Sequence, residues 1–485
     1  MIDRNAQNAP LAVRRWIEKA RHSSNRDTRP PPSASSPSAG GPEPSITIVI
    51  GPVIRISRCQ QQTRGIAGSS TPARRARSSY VSQHKREIAV VGGGLAGYCA
   101  AIGFAAQGFE TTLLAPKPLR EDRRSTALIG SSVAFLDRIG VLERIMRAGA
   151  ALTRMRIVDD TGRLLRAPTV EFDAAEIGIP AFGYNVLNLD LASILADRAG
   201  ELGERLAVID TGATGIAIEP DAVDVTLANG DSLRASLVVG ADGRRSVVRG
   251  GAGIRSRDWS YPQTAIVLNF EHEVDHADLS TEFHTPTGPF TQVPLPGRRS
   301  SLVWVERPEI AELVVDLAPE RLATMIEERM HSILGKVEVD GPVQAFPLRG
   351  SVAQRQTAPR VALIGEAAHV FPPIGAQGLN LGLRDAAAIV EAATTARDDP
   401  GRQSALLRFE TRRRTDVLSR TAGVDALNRS LLSDFLPVQA LRSAGLAAMS
   451  ALPLLRRFAM REGAAPGAGL FGLPEAVRAG FSSRP

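Results

Sequence analysis

Glu87-Ile88-Ala89-Val90-Val91-Gly92-Gly93-Gly94-Leu95-Ala96-Gly97 decides the fold. An apolar strand runs into spaced glycines, and Leu95 to Gln107, dense in Ala and Gly, reads as a helix. A second strand follows at Thr111 to Leu114. Strand, tight turn, helix and strand open a doubly wound α/β sheet. Gly92 permits the turn, Gly94 lets the backbone approach a pyrophosphate, and Gly97 allows close helix–strand packing. Leu95 and Ala96 begin the helix, whose free N–H groups and dipole favour an anion. The spacing therefore predicts a dinucleotide site at Gly92, Gly94, Leu95, Ala96 and Gly97. The carboxylate expected after the second strand to hold a ribose is missing from Leu113-Leu114-Ala115-Pro116. Glu121 or Asp122 is the expected substitute.

Two later segments also terminate apolar strands. Leu237-Val238-Val239 leads into Gly240-Ala241-Asp242-Gly243-Arg244-Arg245-Ser246. Asp242 can accept hydroxyl hydrogen bonds and Gly243 allows backbone contact, which suits the ribityl and phosphate part of a flavin dinucleotide. Val361 to Ile364 leads into Gly365-Glu366-Ala367-Ala368-His369-Val370-Phe371-Pro372-Pro373-Ile374-Gly375-Ala376-Gln377-Gly378-Leu379-Asn380. Gly365 and Glu366 again suit ribityl hydroxyls. A stiff Pro-Pro turn and a glycine-flexed backbone then reach the positive end of a helix beginning near Gly378. That end stabilises a flat ligand that gains negative charge, as a flavin ring does on reduction. Pro373, Gly375, Gln377 and His369 are the candidates nearest the chemistry, His369 either as acid–base group or as a brace for the loop. Gly378, Leu379 and Asn380 are expected at the cofactor.

The chain of 485 residues is long enough for two or more folded units, and 43% of it is hydrophobic. No uninterrupted apolar run reaches the roughly 18 residues of a membrane span. Cys59 and Cys99 form neither a metal spacing nor a disulfide framework, which fits a reducing compartment. No metal site is expected. The net charge of +7 is unevenly placed: residues 1–86 hold 15 Lys and Arg against 4 Asp and Glu, a net +11, leaving −4 for the rest. A nucleic-acid footprint is thereby excluded from the folded part. The tail, rich in Arg, Ser, Pro and Ala, is expected to be disordered. Its composition is that of an organellar transit peptide. The competing expectation is upstream sequence translated in error, favoured by Val81 as an alternative start and by the lack of Met between Met1 and Met146.

Alternating and helical patterns divide the remainder. Nucleotide-binding parts are expected at 87–151, 187–258 and 351–398, interleaved with strand-rich parts at 152–186 and 259–350, and followed by helices over 399–485. Ala127–Arg138 and Leu142–Ala148 read as helices, Val223–Arg234 as a hairpin turning at Asn229-Gly230, and Ile46–Ile50 as an isolated strand. In the C-terminal helices, Leu431, Leu441, Leu446, Leu452, Leu454, Leu455 and Phe458 form apolar faces interspersed with Arg429, Arg442, Arg456, Arg457 and Arg461. Such faces pack on the domain or lie on an anionic membrane.

The three glycine-rich segments, in this order, resemble the class A flavoprotein aromatic hydroxylases. Asp122-Arg123-Arg124-Ser125-Thr126-Ala127-Leu128, Phe182-Gly183-Tyr184-Asn185, Tyr261-Pro262-Gln263-Thr264-Ala265 and Gly378-Leu379-Asn380-Leu381-Gly382 make the chain similar to the ubiquinone-biosynthesis hydroxylases within that group. The resemblance covers about residues 87–465. It implies a Rossmann-like FAD-binding domain interleaved with a strand-rich substrate domain, as in p-hydroxybenzoate hydroxylase. It also implies FAD as cofactor, NAD(P)H as electron donor, and O2 as co-substrate activated as a flavin peroxide. The substrate implied is a prenylated phenol, with a biosynthetic complex and a peripheral membrane contact as partners. The location implied is the cytoplasm, or the mitochondrial matrix if the tail is a transit peptide. Arg124 is assigned to the cofactor, with a surface ion pair as its competing role. Tyr184, Gln263 and Phe371 are assigned to the substrate cavity, with plain packing as the competing role of each. At residue 366 most of the wider group has Asp, so Glu keeps the charge with one more methylene. The rival readings are a hydroxylase of small soluble aromatics, a flavin reductase of isoprenoid double bonds, and a non-enzymatic flavin-bound scaffold subunit.

Overall fold

Strand Val361–Leu363 belongs to one sheet and strand His369–Val370, a few residues on, to another. The third glycine-rich segment therefore crosses the seam between the two sheets. The computed structural model describes residues 86–117, 122–163, 166–372, 377–432 and 436–465.

The first sheet runs Thr357–Ala358, Val361–Leu363, Ser232–Gly240, Arg86–Val91, Thr111–Leu114, Leu206–Ile209, with Val223–Leu227 and Ala213–Ile218 added antiparallel beside Ser232–Gly240. From Val361–Leu363 to Leu206–Ile209 every pairing is parallel. Parallel strands covered on both faces read as unbroken apolar runs. Accordingly Ile88, Ala89, Val90, Leu237, Val238 and Val239 are all sealed from solvent. Helices Leu95–Ala106 and Gln377–Thr394 lie against each other on this sheet. A Cβ at Gly103 would stand 3.0 Å from Val390, so the glycine sets how closely they approach.

The second sheet runs His369–Val370, Val337–Ala353, Ser256–His272, Arg299–Glu306, Gly288–Leu295, Leu279–Thr285, Arg154–Asp159, Val170–Asp173. Phe270, Phe283, Phe290 and Trp304 bury one of its faces under helices Pro308–Val315 and Pro319–Arg329. A three-stranded sheet, Ser125–Ile129, Gly183–Leu187 and Ala150–Ala151, joins the two larger ones. Helices Gln403–Leu432, Leu436–Ala451 and Pro453–Ala464 close the described chain. The architecture is a doubly wound α/β domain interleaved with a strand-rich one and followed by helices, as the sequence predicts.

Two local expectations fail. Ala127–Ile129, read as the start of a helix, is strand, paired antiparallel with Gly183–Asn185. The helix begins only at Ser131, after Gly130 turns the chain with φ 58°. The strand-rich stretch 259–350 also holds the two helices at 308–329, each opened by a proline, which suits a first helical turn. The strand expected at Ile46–Ile50 lies outside the described residues.

Candidate active site

The first two glycine-rich segments touch. A Cβ on Gly92 would lie 2.3 Å from the Ala241 carbonyl oxygen, and one on Gly97 2.0 Å from the Gly92 oxygen and 3.3 Å from Ala241. The third segment joins them: Gly365, at φ 58°, faces Ala96 at 3.4 Å, and Gly382 faces both Gly365 and Ala96. Stretches more than a hundred residues apart are thus packed backbone to backbone. Gly94, Gly243 and Gly378 differ in kind, because a Cβ at any of them would meet nothing within 4 Å. Packing explains Gly92 and Gly97, a φ of 77° explains Gly243, and Gly94 and Gly378 border open space. The helix starting at Leu95 has Gly94 as its N-cap, with no side-chain cap and no acid in its first turn. Its dipole is therefore left for an outside anion.

A buried ionic chain holds the third segment. His369 Nε2 lies 2.6 Å from Asp385 Oδ2, which also accepts the Gly365 N–H at 3.0 Å. Arg413 Nε donates to Asp385 Oδ1 at 2.7 Å, and Arg413 also pairs with Asp416, which binds Arg384 at 3.3 Å and Arg420 at 2.8 Å. Burial pushes the Asp385 carboxyl up, but His369 and Arg413 outweigh it and hold it down at about 2. The carboxylate accepts, so the proton between the two side chains is on His369 Nε2. His369 is sealed from solvent, stacked on Phe371 at 5.3 Å, and its Nδ1 has no hydrogen-bond partner among the described residues. This geometry suits a brace for the loop.

The other expected residues fall into place unevenly. Arg124 pairs with Asp122 through two contacts of 2.7 Å and lies over the Phe346 ring at 5.0 Å, within the field of Glu366. The Glu366 carboxylate is exposed and 3.4 Å from Arg244 Nε. Asp242 accepts from Ser246 Oγ at 2.5 Å and from the Val247 and Val248 amides at 2.6 and 3.1 Å. Its first task is to shape its own loop, and a carboxylate retains room for one further donor. Asn380 is buried: its Oδ1 accepts the Ile129 N–H at 3.0 Å and its Nδ2 donates to the Ala127 oxygen at 2.7 Å. Its side chain fastens the strand Ser125–Ile129 to the helix. Leu95 and Leu379 pack at the edge of the main core.

Gln263 has protein partners at both ends of its amide. It is fully buried, with Nε2 donating to the Thr287 oxygen at 2.6 Å and Oε1 accepting from Asn428 at 2.9 Å. It joins the second sheet to the helix Gln403–Leu432. Tyr184 is buried beside Phe182 and Val186, and burial pushes its phenol up. Phe371 is half-buried beside the buried Pro372. Pro373 and Gly375 lie outside the described residues, and Gln377 is the first residue of its helix. For the missing ribose carboxylate, Glu121 is outside the described residues. Asp122 is already bound to Arg124 and, at 2.8 Å, to Asn188. Cys99 is a buried core residue whose thiol burial pushes up.

Sequence reading missed Asp385, Arg413, Asp416 and Arg244. One signal was present: Asp385 occupies the place between Leu381 and Ile389, one helical turn from each, in a stripe otherwise buried and apolar. An acid there needs a buried cation. Among the described residues, no group of His, Cys, Asp or Glu could hold a metal ion.

An uncapped helix start, three glycines bordering open space, and Arg124 and Arg244 alongside fit FAD, an elongated dianionic ligand. Residues 85–421 match the family model described as an FAD binding domain. The chain is 35% identical to ubiquinone hydroxylase UbiL of Rhodospirillum rubrum, over 82% of this chain and 94% of that protein. It is 32% identical to 3-demethoxyubiquinol 3-hydroxylase of Escherichia coli, over 77% and 97%. Among solved structures, p-nitrophenol 4-monooxygenase PnpA of Pseudomonas putida superposes with a TM-score of 0.65 at 21% identity, covering 80% of this chain and 98% of that one. The chain belongs to the FAD-dependent monooxygenases that carry this domain, in the branch of the ubiquinone hydroxylases.

Proposed function

We propose that the protein hydroxylates the aromatic ring of a prenylated phenol on the route to ubiquinone, using O2 and a nicotinamide donor. What supports this reading is the packing of three distant segments on one another, Gly92 and Gly97 on Ala241 and Gly365 and Gly382 on Ala96, with the third segment crossing the seam of the two sheets. The names of the relatives support the substrate class.

Bound FAD, once reduced, supplies the electrons that activate O2. The protein's own part is positional and electrostatic. The Leu95 helix start and the loop at Asp242 hold the pyrophosphate and ribityl portion, and Glu366 offers its exposed carboxylate to hydroxyl groups. The helix Gln377–Thr394 presents its positive end where negative charge grows, and one preorganised donor of this kind contributes about 3 kcal/mol in hydrolytic enzymes. Asp385 keeps Gly365 and His369 in register with that helix through its two short contacts.

Deleting the gene and identifying the accumulated quinone precursor by mass spectrometry tests the reading. A prenylated precursor lacking one ring oxygen is expected. An unchanged quinone profile would count against it, as would rapid NAD(P)H oxidation with water-soluble phenols that gains nothing from a prenyl tail.

A further inference from the structure

Among the described residues, no single helix is long and apolar enough to cross a membrane. Val438–Ala451 and Pro453–Ala464 are apolar enough only as a pair, and the pair bends by 103° at Leu452. The inner faces of both arms are anchored. Leu446 and Met460 join the main core, which also contains Tyr184 and Phe172. Arg442 reaches Asp159 at 3.3 Å, and Arg456 grips Glu176 at 2.9 Å. The outside of the bend is the opposite. Ala451, Leu452, Pro453, Leu454 and Leu455 are consecutive and all exposed, Leu454 by 81% and Leu452 by 54%. Phe458 at 38% and Leu441 at 76% extend the patch along the two arms. Single exposed leucines are ordinary, but a projecting apolar run of this kind is not.

We propose that this elbow docks into an anionic lipid surface. Charge selects the occupant. Of the four arginines in residues 436–465, Arg442 and Arg456 are committed to Asp159 and Glu176, which leaves Arg457 and Arg461 against one acid of the pair, Glu462, while the chain beyond residue 86 is net −4. Arg457, with 45% of its side chain exposed and only a 3.9 Å approach to Glu176, which Arg456 already holds, stands beside the apolar run. A bent amphipathic pair with apolar tips and flanking arginines lies in the interfacial plane and does not span. The second arm leads back to the candidate site. Its last residue, Ala464, packs its carbonyl oxygen 2.1 Å from where a Cβ on Gly130 would be, next to the strand that Asn380 fastens. At 1.5 Å per residue the twelve-residue arm spans about 18 Å between lipid and site. Docking stands on the elbow alone, and only its use for loading a prenylated substrate rests on the proposed function.

The test is co-sedimentation of the full-length holoprotein with phosphatidylcholine vesicles, with and without phosphatidylglycerol, and no substrate present. Binding is expected, stronger on the anionic vesicles. The triple variant Leu452→Ser, Leu454→Ser, Leu455→Ser should lose it by about tenfold or more, with its thermal midpoint and flavin absorbance retained. Arg457→Glu should remove most of the preference for anionic lipid. Wild-type protein that stays in the supernatant with both vesicle types overturns the proposal, as does a triple variant that binds equally well. Wild-type protein that elutes as a dimer, with the triple variant monomeric and neither bound to vesicles, also overturns it, because a second copy then covers the elbow. Vesicle binding without hydroxylation of a prenylated phenol upholds the docking and removes the function.

Discussion

His369 donates from Nε2 to Asp385 over 2.6 Å, with both side chains sealed from solvent and Arg413 on the far side of the carboxylate. Removing the negative charge leaves Arg413 with one buried partner fewer. Asp385→Asn should therefore destabilise the protein by about 3–5 kcal/mol, as breaking a buried pair does. Chemical denaturation measures this directly.

The same carboxylate sets a pH dependence. Its folded-state value, about 2, lies below the ordinary carboxylate range, so its stabilising effect is complete above about pH 4. That effect is lost as pH falls towards 2 and amounts to about 2–3 kcal/mol. Acid titration followed by circular dichroism should show the wild type losing stability in this window, with a shallower loss in Asp385→Asn.

Gly92 and Gly94 should respond in opposite ways. Gly92→Ala places a methyl group 2.3 Å from a carbonyl oxygen at a φ of 121°, so the expected result is misfolded protein. Gly94→Val enters open space from an ordinary extended backbone, at φ −74° and ψ 168°. Folded but colourless protein is expected, with a thermal midpoint matching that of wild-type apoprotein. Absorbance spectra alongside thermal melts separate the two outcomes.

Glu366 pairs with Arg244 only at the surface, so Glu366→Gln should change stability by less than about 1 kcal/mol. Loss of a charged acceptor for ribityl hydroxyls should weaken FAD binding by about tenfold. Fluorescence titration of the apoprotein with FAD reads this.

Much of the scaffold was legible in the sequence because it depends on local pattern. The run Ile88–Val91 could only be a buried parallel strand, and Gly92, Gly94 and Gly97 marked the turn after it. The braces were not legible, because they depend on partners far along the chain. The amide of Asn380 holds Ala127 and Ile129, more than 200 positions earlier, a contact that no local pattern announces. Gln263 likewise meets Thr287 and Asn428, partners that its own stretch of sequence does not reveal. Ala127–Ile129 has helix-tolerant residues, but pairing with Gly183–Asn185 overrides that local preference. Asp385 carried a local signal, an acid in an apolar stripe, without any indication of which cation would meet it.

Single turnover of the reduced holoprotein with a prenylated phenol under isotopically labelled O2, read by mass spectrometry, tests ring hydroxylation most directly. One labelled oxygen atom on the aromatic ring is the expected product. A product that is reduced and unlabelled, or a phenol returned unchanged while the flavin reoxidises fully, would contradict it.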